Sequence, residues 1–395
     1  MDFDDTPDDT AWRNECASWL DEHLPLLEDE PPDPITRAQA WQALKFDAGL
    51  AKIAWDPHEG GRNGTDVEQI IFNQEQAKHR TPFDVLTIGL DFIAPTIRAH
   101  GTDEQRANYL RAALRGEHIW CQMFSEPSAG SDVASLGTSA VRDGDEWVVN
   151  GQKVWTSYAQ FADFGEVLCR TDPEAPKHRG ITAFIVDLRT PGVTVRPLKQ
   201  MTGTAEFNEI FLDEVRIPHA NVIGEPNDGW HVAVTTLMNE RKSIGSIGGG
   251  KRSSLPNRLA ELGRTHGTIG AVERQRIADI WIRSEISRFL SMRSLTAALH
   301  RRRPGPEGSV AKLASTQLNL DAAELGIALL GASGMAAADD ETRWAMRFLW
   351  GPGHRLGGGT DEVNRNIVAE RVLGLPGEPR DDDSIPWREI PRSVA

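Results

Sequence analysis

The hydrophobic period of this chain changes twice along the sequence. Near the N-terminus Trp12, Cys16 and Leu20 recur at the spacing of one helix face. Between about Cys121 and Pro218 the apolar runs become short, β-branched and bounded by Gly, Pro and Asp, as in GITAFIVDL and GVTVRPL. The helical period then returns and continues through most of the remaining sequence. The sequence therefore predicts an α+β fold in the order helices, β unit, helices.

Two turn-forming pairs predict antiparallel strands in the β unit. Asp143-Gly144 and Asn150-Gly151 flank the strand-like run EWVV, and such pairs favour short hairpin turns. The later run NEIFLDEVRIP alternates apolar and polar side chains, as a half-buried strand does. We therefore expect a hairpin turn at each of the two pairs.

The domain boundaries are placed where the period changes. This predicts an N-terminal helical domain over residues 1–120, a middle β domain over 121–229 and a C-terminal helical bundle over 230–376. Residues 377–395 are rich in Pro and Asp, so we expect an extended tail there.

The charge balance is acidic, with a formal net charge of −15 at pH 7. This disfavours nucleic acid or an anionic membrane surface as a partner. No run approaches the roughly 20 apolar residues of a membrane span, and the acidic start MDFDDTPDDT lacks the charge pattern of a secretory signal. Cys16, Cys121 and Cys169 are too few and too widely spaced for a disulfide framework. We expect a cytoplasmic protein.

Several common kinds of catalytic site are disfavoured by their motifs. KSIGSIGGGKRSS has the P-loop spacing at Gly245 and Gly250-Lys251, but Arg252 stands where that motif needs a hydroxyl. An interruption of a helix is the simpler interpretation of this stretch. The histidines show neither H-x-H nor H-E-x-x-H spacing, so no metal site is expected. The G-x-S-x-G nucleophile elbow is also absent.

Two segments of the β unit combine turn formers, hydroxyls and an indole. Residues 124–132 read FSEPSAGSD, whose small side chains allow a ligand to lie against backbone N–H groups. Further along, Trp155 is followed by the hydroxyls of Thr156 and Ser157. An indole beside such donors suits a flat conjugated ring. Taken singly, Trp155 is more typical of a core and Ser131 of an ordinary turn, so the interpretation depends on the combination.

Together these segments resemble the acyl-CoA dehydrogenase family. The similarity extends along nearly the whole chain in the family's order, through NECASWLDEHLP, FSEPSAGSDVA, KVWTSYA, the stretch from GVTVRPL to VRIPHANVIGE, and GGGTDEVNRNIVAERVLGLP. It implies an N-terminal helical domain, a middle antiparallel β-barrel-like domain and a C-terminal four-helix bundle. FAD would lie between the middle and C-terminal domains, usually at a subunit interface. The implied partners are an acyl-CoA substrate, an electron-transfer flavoprotein as acceptor, and further subunits in a homo- or hetero-oligomer (dimer or tetramer).

The reaction that the resemblance implies removes a proton from Cα of a thioester and a hydride from Cβ, the hydride going to flavin N5. The α-proton is too weakly acidic for a carboxylate near its ordinary pKa of about 4.3. The thioester oxygen therefore needs preorganised donors that stabilise enolate charge. The base must also be desolvated, so that its pKa rises towards the working pH.

The family's usual catalytic glutamate is missing from this chain. Gly359-Thr360 match the family's Gly-Thr, so Gly358 stands in the place of the glutamate. The resemblance still assigns the backbone N–H of Gly358 to the thioester oxygen. Some members carry the base on an earlier helix, directly before an arginine, and Glu240-Arg241 match that place. We predict Glu240 as the base with Arg241 in support; the alternative is a solvated surface pair.

The resemblance also assigns groups to the cofactor. Trp155 would pack against the isoalloxazine ring, and Ser157 would bond near N5, where the family has threonine. Thr360 and Glu362 would lie near the phosphates or ribose, through N–H contacts more than through charge. The implied cofactor set is Gln122, Phe124, Ser125, Gly130, Ser131, Trp155, Ser157, Thr360 and Glu362, and the implied substrate set is Ser131 and Gly358.

The residues expected near the adenine end of FAD depart from the family pattern. Ala328 stands where the family often has glutamine ahead of its glycine turn, and ELGRTHGTIGAVERQRIAD replaces the usual Arg-x-x-Phe-Gly segment. This variant resembles actinobacterial acyl-CoA dehydrogenases, some of which handle steroid side chains as heteromeric pairs.

Two other functions stay open at this point. Gly358 is compatible with a catalytically silent partner subunit of a heteromeric dehydrogenase, whereas Glu240 and Trp155 favour an active subunit. A flavin oxidase or monooxygenase on the same scaffold would differ in what reoxidises the flavin. The sequence does not determine whether the acyl group is branched, long or steroidal.

Overall fold

The structure is a computed structural model. It describes residues 5–25, 31, 33–82, 85–245, 253–299, 305–335, 339–377, 379 and 384–390. Residues 246–252, which hold most of the P-loop-like stretch, lie outside the described residues.

Helices occupy both ends of the chain and strands the middle, which confirms the predicted order. The helices are α1 Pro7–His23, α2 Pro34–Asp47, α3 Asp66–Gln76, α4 Ala94–His100, α5 Asp103–Gln105, α6 Arg111–Arg115, α7 Gly229–Gly245, α8 Leu255–Thr265, α9 Ala271–Leu299, α10 Glu307–Leu330, α11 Asp339–Leu356 and α12 Asp361–Ile367. The strands are β1 Trp120–Met123, β2 Ser139–Asp143, β3 Glu146–Ser157, β4 Phe164–Arg170, β5 Ile181–Asp187, β6 Val193–Leu198, β7 Phe207–Pro218 and β8 Val222–Ile223. No helix in the described ranges is long and apolar enough to cross a bilayer.

The chain divides into two compact units. Unit 1 comprises Met1–Gln200, Thr204–Glu240 and Pro379–Ala395, and unit 2 comprises Met201–Gly203 and Arg241–Glu378. The N-terminal helices and the sheet therefore share one unit. A common apolar core explains this, because side chains of the N-terminal helices, the sheet and the start of α7 pack together without solvent between them.

The sheet of unit 1 has eight strands, in the order β6-β7-β3-β2-β4-β5-β8, with β1 added beside β4. Most pairs are antiparallel, as the turn signals predict. β1 instead runs parallel to β4, and β2 meets β4 in a single parallel pair. The β2–β3 hairpin lies between β1 and β4 in sequence, and this intervening chain makes the parallel pairing possible.

One of the two predicted hairpin turns is wrong. Asp143 ends β2 and pairs with Glu146 across a tight turn, as predicted. Asn150-Gly151 instead lies inside β3, which continues to Ser157. There the Asn150 side chain accepts a hydrogen bond at 2.9 Å from the N–H of Glu214, in a bulge of β7. A Cβ on Gly151 would lie 2.4 Å from the Thr138 hydroxyl oxygen, so close packing requires the glycine.

Unit 2 is a helical bundle around α10. Buried side chains of α8, α9, α10 and α11 form its core, which confirms the predicted C-terminal four-helix bundle. Close approach of α10 and α11 depends on Gly326, because a Cβ there would lie 2.3 Å from the ring of Trp344. The last described segment, 384–390, belongs to unit 1 and contains one short helical turn at Trp387–Glu389.

Candidate functional site

A buried ion pair holds the loop 124–132 that follows β1. The Glu126 carboxylate accepts hydrogen bonds from the backbone N–H groups of Gly137 and Thr138 at 2.7 and 2.9 Å, and from Nζ of Lys153 at 2.8 Å. Burial by itself would raise the pKa of Glu126, but the charge of Lys153 and these hydrogen bonds hold it below its ordinary value. Glu126 is therefore a buried carboxylate that stays ionised.

The same loop uses its carbonyls and leaves N–H groups available. The Phe124 carbonyl accepts from Nζ of Lys153 at 3.2 Å, and the Ser125 carbonyl accepts from the N–H of Val154 at 2.9 Å. The N–H groups of Phe124 and Ser125 donate to no acceptor in the part of the chain that the structure describes. Two backbone donors thus remain for a ligand at the end of β1.

Trp155 is presented by a β-bulge. Lys153 pairs with Ile210 and Thr156 pairs with Asn208, so between these two pairs β3 has one residue more than β7. In the bulge Trp155 has φ +59°, a left-handed value that a bulky residue rarely adopts. The residue is 61% exposed to solvent. This exposure excludes the alternative that Trp155 is a core residue, and it offers a ring face to a ligand.

The serine hydroxyls that were predicted to contact cofactor or substrate are also available to a ligand. Ser157, at the end of β3, is half-buried, and its side chain makes no hydrogen bond with the described residues. Ser131 is exposed, and a Cβ on the neighbouring Gly130 would meet nothing within 4 Å. The 124–132 loop and β3 thus bring open donors, open space and an exposed indole into the same unit.

Glu240 lies on α7 and contacts the sheet. The side-chain amide of Gln122 on β1 donates to its carboxylate at 3.4 Å. Glu240 and the following Arg241 are both half-buried, unlike a fully solvated surface pair. Because β1 leads directly into the 124–132 loop, the carboxylate lies beside the strand that carries the predicted cofactor contacts. Its role as a base stays a prediction.

In unit 2 a run of glycines leads into α12. Gly358 and Gly359 have φ +66° and +83°, values that glycine adopts without strain. The Gly359 carbonyl accepts from Nζ of Lys312 at 2.8 Å and from Nδ2 of Asn364 at 2.8 Å. The N–H of Gly358 donates to no described acceptor. The conformation thus leaves open the backbone donor that was predicted to hold a thioester oxygen.

Thr360 and Glu362 have contacts within unit 2. The Thr360 hydroxyl oxygen caps α12 by accepting from the N–H of Val363 at 3.2 Å. Glu362 is exposed and pairs with Arg365 at 3.3 Å. The structure therefore assigns the Thr360 side chain a capping contact, and the predicted cofactor contacts of both residues stay predictions.

Asp361 is a buried anchor for the glycine run. Its carboxylate accepts from Lys312 at 3.3 Å and from Nε of Arg355 at 2.6 Å. Burial by itself would raise its pKa, but these two cations hold it below the ordinary value. The negative charge of Asp361 is thereby neutralised inside the unit.

Models of one protein family match almost the whole chain. The acyl-CoA dehydrogenase N-terminal domain matches residues 6–117, the middle domain 121–215 and the C-terminal domain 227–373. The chain belongs to the acyl-CoA dehydrogenase family. Members of this family are flavoprotein oxidoreductases, so a flavin cofactor is implied for this acyl-CoA dehydrogenase.

Two similar curated proteins come from Mycobacterium tuberculosis. The chain is 40% identical to acyl-CoA dehydrogenase FadE34 of Mycobacterium tuberculosis over 85% of its own length, and the match spans 46% of that protein, about half its length. It is 36% identical to acyl-CoA dehydrogenase IpdE1 of the same organism, over 86% of this chain and 88% of that protein.

Among solved structures, the Tcur3481-Tcur3483 steroid ACAD has a TM-score of 0.82 at 29% identity, covering 96% of this chain and 100% of that one. The ChsE4-ChsE5 complex of M. tuberculosis has a TM-score of 0.77 at 29% identity, with the same coverage.

Sequence reasoning missed the residues that hold the two loops. Lys153 and Glu126 fix the 124–132 loop, and Lys312 and Asn364 fix the glycine run. Lys153 and Lys312 are both fully buried, which is rare for lysine without partners. For Lys153, which shares a strand face with Trp147 and Val149, a lysine on an otherwise apolar face was the available signal.

Proposed function

We propose that this acyl-CoA dehydrogenase catalyses the flavin-dependent α,β-dehydrogenation of an acyl-CoA thioester to the 2-enoyl-CoA, with Glu240 as base. The observation that carries the proposal is the contact of Glu240 with Gln122. It holds a half-buried carboxylate beside the strand that leads to the 124–132 loop.

The residues present fit FAD. The exposed Trp155 indole offers a face to the isoalloxazine, and the Ser157 hydroxyl and the N–H groups of Phe124 and Ser125 offer edge donors. Bound FAD would supply the acceptor for the hydride. On this proposal Glu240 takes the α-proton on a carboxylate oxygen, and the N–H of Gly358 donates to the thioester oxygen.

We further propose a bulky acyl group, since residue 358 carries no side chain and the base comes from α7. The structural similarity to the Tcur3481-Tcur3483 steroid ACAD supports this class. Electron-transfer flavoprotein is the proposed acceptor. The unpaired, buried cysteines fit the reducing cytoplasm as the proposed compartment.

The test first measures the colour of the bound flavin and its bleaching by substrate. The purified chain should be yellow, and anaerobic addition of an active acyl-CoA should bleach the flavin, with slow recolouring in air; rapid recolouring would instead identify an oxidase. Glu240→Gln should retain FAD and abolish bleaching. Glu225→Gln, an exposed carboxylate ahead of α7, is the matched control and should bleach as the unmodified protein does. Normal turnover by Glu240→Gln would contradict the assignment of the base.

A silent partner subunit is the second candidate, and two observations favour it. Position 358 holds glycine where the family usually has the catalytic glutamate, and the similar solved structures include a two-component complex. A chain that is colourless alone, and becomes yellow only with a second acyl-CoA dehydrogenase chain, would support this candidate. A panel of short, branched and steroid acyl-CoAs should be tested on both preparations.

A further inference from the structure

A second carboxyl group lies next to Gln122 in the sheet. Glu166 on β4 is the register partner of Gln122 in the parallel β1–β4 pair, and it is fully buried. The Thr236 hydroxyl of α7 lies 2.9 and 3.0 Å from the two Glu166 carboxyl oxygens. Thr236 and Glu240 are four residues apart and share one helix face. Two neighbouring sheet residues thus hold two successive turns of α7.

Hydrogen bonds link Glu166 through Thr236 to α4. Thr96 donates to the Phe92 carbonyl at 2.8 Å, the Thr96 and Thr236 hydroxyl oxygens lie 3.0 Å apart, and the Thr236 hydroxyl lies 2.9 Å from Glu166 and 3.4 Å from the Val232 carbonyl. Because Thr96 donates to Phe92, the Thr236 hydroxyl can donate to Thr96 and accept a hydrogen bond from a protonated Glu166. A neutral Glu166 thus takes part in this chain of hydrogen bonds as a donor.

Among the described residues, no cation is a register or hydrogen-bond partner of Glu166. Its neighbours are Gln122 on β1, Ile185 on β5 and Thr236 on α7. On the face of α7 that carries Thr236, the next titratable side chain is Glu240, one turn further along the helix. Burial raises the pKa of Glu166 to about 8, and the Thr236 hydrogen bond lowers it by less.

We propose that Glu166 is a neutral carboxylic acid that positions Glu240, by fixing through Thr236 the turn of α7 that precedes the base. This rests on the proposed function of Glu240. The Gln122–Glu240 hydrogen bond is already long at 3.4 Å, so a small outward movement of this turn breaks it. The acid acts through the helix and does not touch substrate.

The first test is independent of catalysis. Infrared difference spectra across a pH titration should show a protonated carboxylic acid at pH 6 that is missing from Glu166→Gln. Between about pH 4.5 and 8 the folded state holds a proton on Glu166 that the unfolded state has lost. The free energy of unfolding therefore falls as pH rises through that window. Glu166→Gln should lose this part of the slope. An absent acid band, or an unchanged slope, would overturn the neutral acid.

The second test separates positioning from folding. Glu166→Leu removes the donor, whereas Glu166→Gln keeps a neutral hydrogen-bonding group of the same shape. At saturating acyl-CoA, the rate of flavin reduction should fall roughly ten-fold or more in Glu166→Leu, with FAD binding retained, and stay within about two-fold in Glu166→Gln. If Glu166→Leu does not fold, Thr236→Val tests the same contact with little change in volume.

Equal rates in the apolar variant and the unmodified protein would overturn the positioning role. Failure of the proposed function is distinguishable, because it is shown by normal turnover of Glu240→Gln. In that case the infrared and stability results would still decide the protonation of Glu166.

Discussion

The side-chain amide of Gln122 donates a hydrogen bond to the carboxylate of Glu240, joining β1 to α7 across 3.4 Å. A donor to a carboxylate favours the ionised form, which is the form that accepts a proton. Gln122 was predicted only as a contact to the cofactor. The structure adds a side-chain contact to the predicted base.

Replacing Gln122 by Met should therefore change the pH dependence of flavin reduction. Without the donor the ionised carboxylate is stabilised less, so the acid limb of the rate profile should move to higher pH. Gln152→Met is the matched control, because Gln152 donates in the same way to Glu209 at 3.3 Å on the same sheet. Stopped-flow bleaching across a pH series checks the shift. An identical profile for Gln122→Met would show that the contact does not influence the base.

The second prediction concerns backbone strain at the glycine run. Gly358→Ala places a side chain at φ +66°, which costs about 1–2 kcal/mol and disturbs the backbone donor. We expect FAD binding to persist and flavin reduction to fall. Gly357→Ala is the control: a Cβ there would meet only the Gly353 carbonyl oxygen at 3.8 Å, an ordinary contact. Equal bleaching rates in the two variants would contradict a role for the Gly358 N–H.

The same strain bears on restoring the family's glutamate. Gly358→Glu places a large side chain at the left-handed φ, so we expect it to rescue little or no activity in the Glu240→Gln background. Full rescue would mean that the loop relaxes to a conformation that accepts a side chain.

The order of elements could be predicted because it depends on local patterns. Hydrophobic period and turn residues are read within a window of one helix or strand. The error at Asn150-Gly151 has a tertiary cause, since the asparagine serves a bulge on β7 and the glycine accommodates Thr138. A local turn rule contains neither partner.

The supporting contacts could not be predicted because their partners are distant in sequence. Glu126 and Lys153 are 27 residues apart, and Glu166 and Thr236 are 70 apart. Two buried glutamates of unit 1 thereby have pKa values shifted in opposite directions, that of Glu126 lowered beside a lysine and that of Glu166 raised by burial. Only the three-dimensional surroundings distinguish them.

The third prediction concerns the ion pair below the 124–132 loop. Lys153→Met leaves Glu126 buried without its cation, which should lower the free energy of unfolding by about 3–5 kcal/mol and weaken FAD binding. Adding Glu126→Gln should recover part of the loss, because the uncompensated charge is then removed. Urea denaturation and flavin release measure both effects. A double variant no more stable than Lys153→Met would show that the carboxylate charge is not the cause.

The same pair predicts sensitivity to acid. The pKa of Glu126 is lowered in the folded state, so its contribution is present above the ordinary carboxyl pKa and is lost as pH falls through the folded value. The unmodified protein should therefore lose stability at acid pH more steeply than the Lys153→Met, Glu126→Gln double variant, in which no carboxyl group remains to be protonated there.

The fourth prediction concerns the contact between the C-terminal segment and the residues that follow the 124–132 loop. Trp387 is buried, its indole N–H donates to the Ser135 carbonyl at 3.3 Å, and the Arg170 guanidinium lies 4.8 Å from its ring centroid. Arg170 in turn donates to the Ala134 carbonyl at 2.6 Å. The tryptophan thus braces the chain just after Ser131, a predicted substrate contact.

Trp387→Ala should lower the free energy of unfolding by about 3 kcal/mol through lost burial and raise KM for acyl-CoA more than it lowers kcat. Trp387→Phe, which keeps a ring under Arg170 but loses the N–H, should show a smaller change in both quantities. Denaturation curves and steady-state kinetics of the flavin-loaded protein measure these effects. A fall in kcat with KM unchanged would show that the segment acts on the chemical step and not on substrate binding.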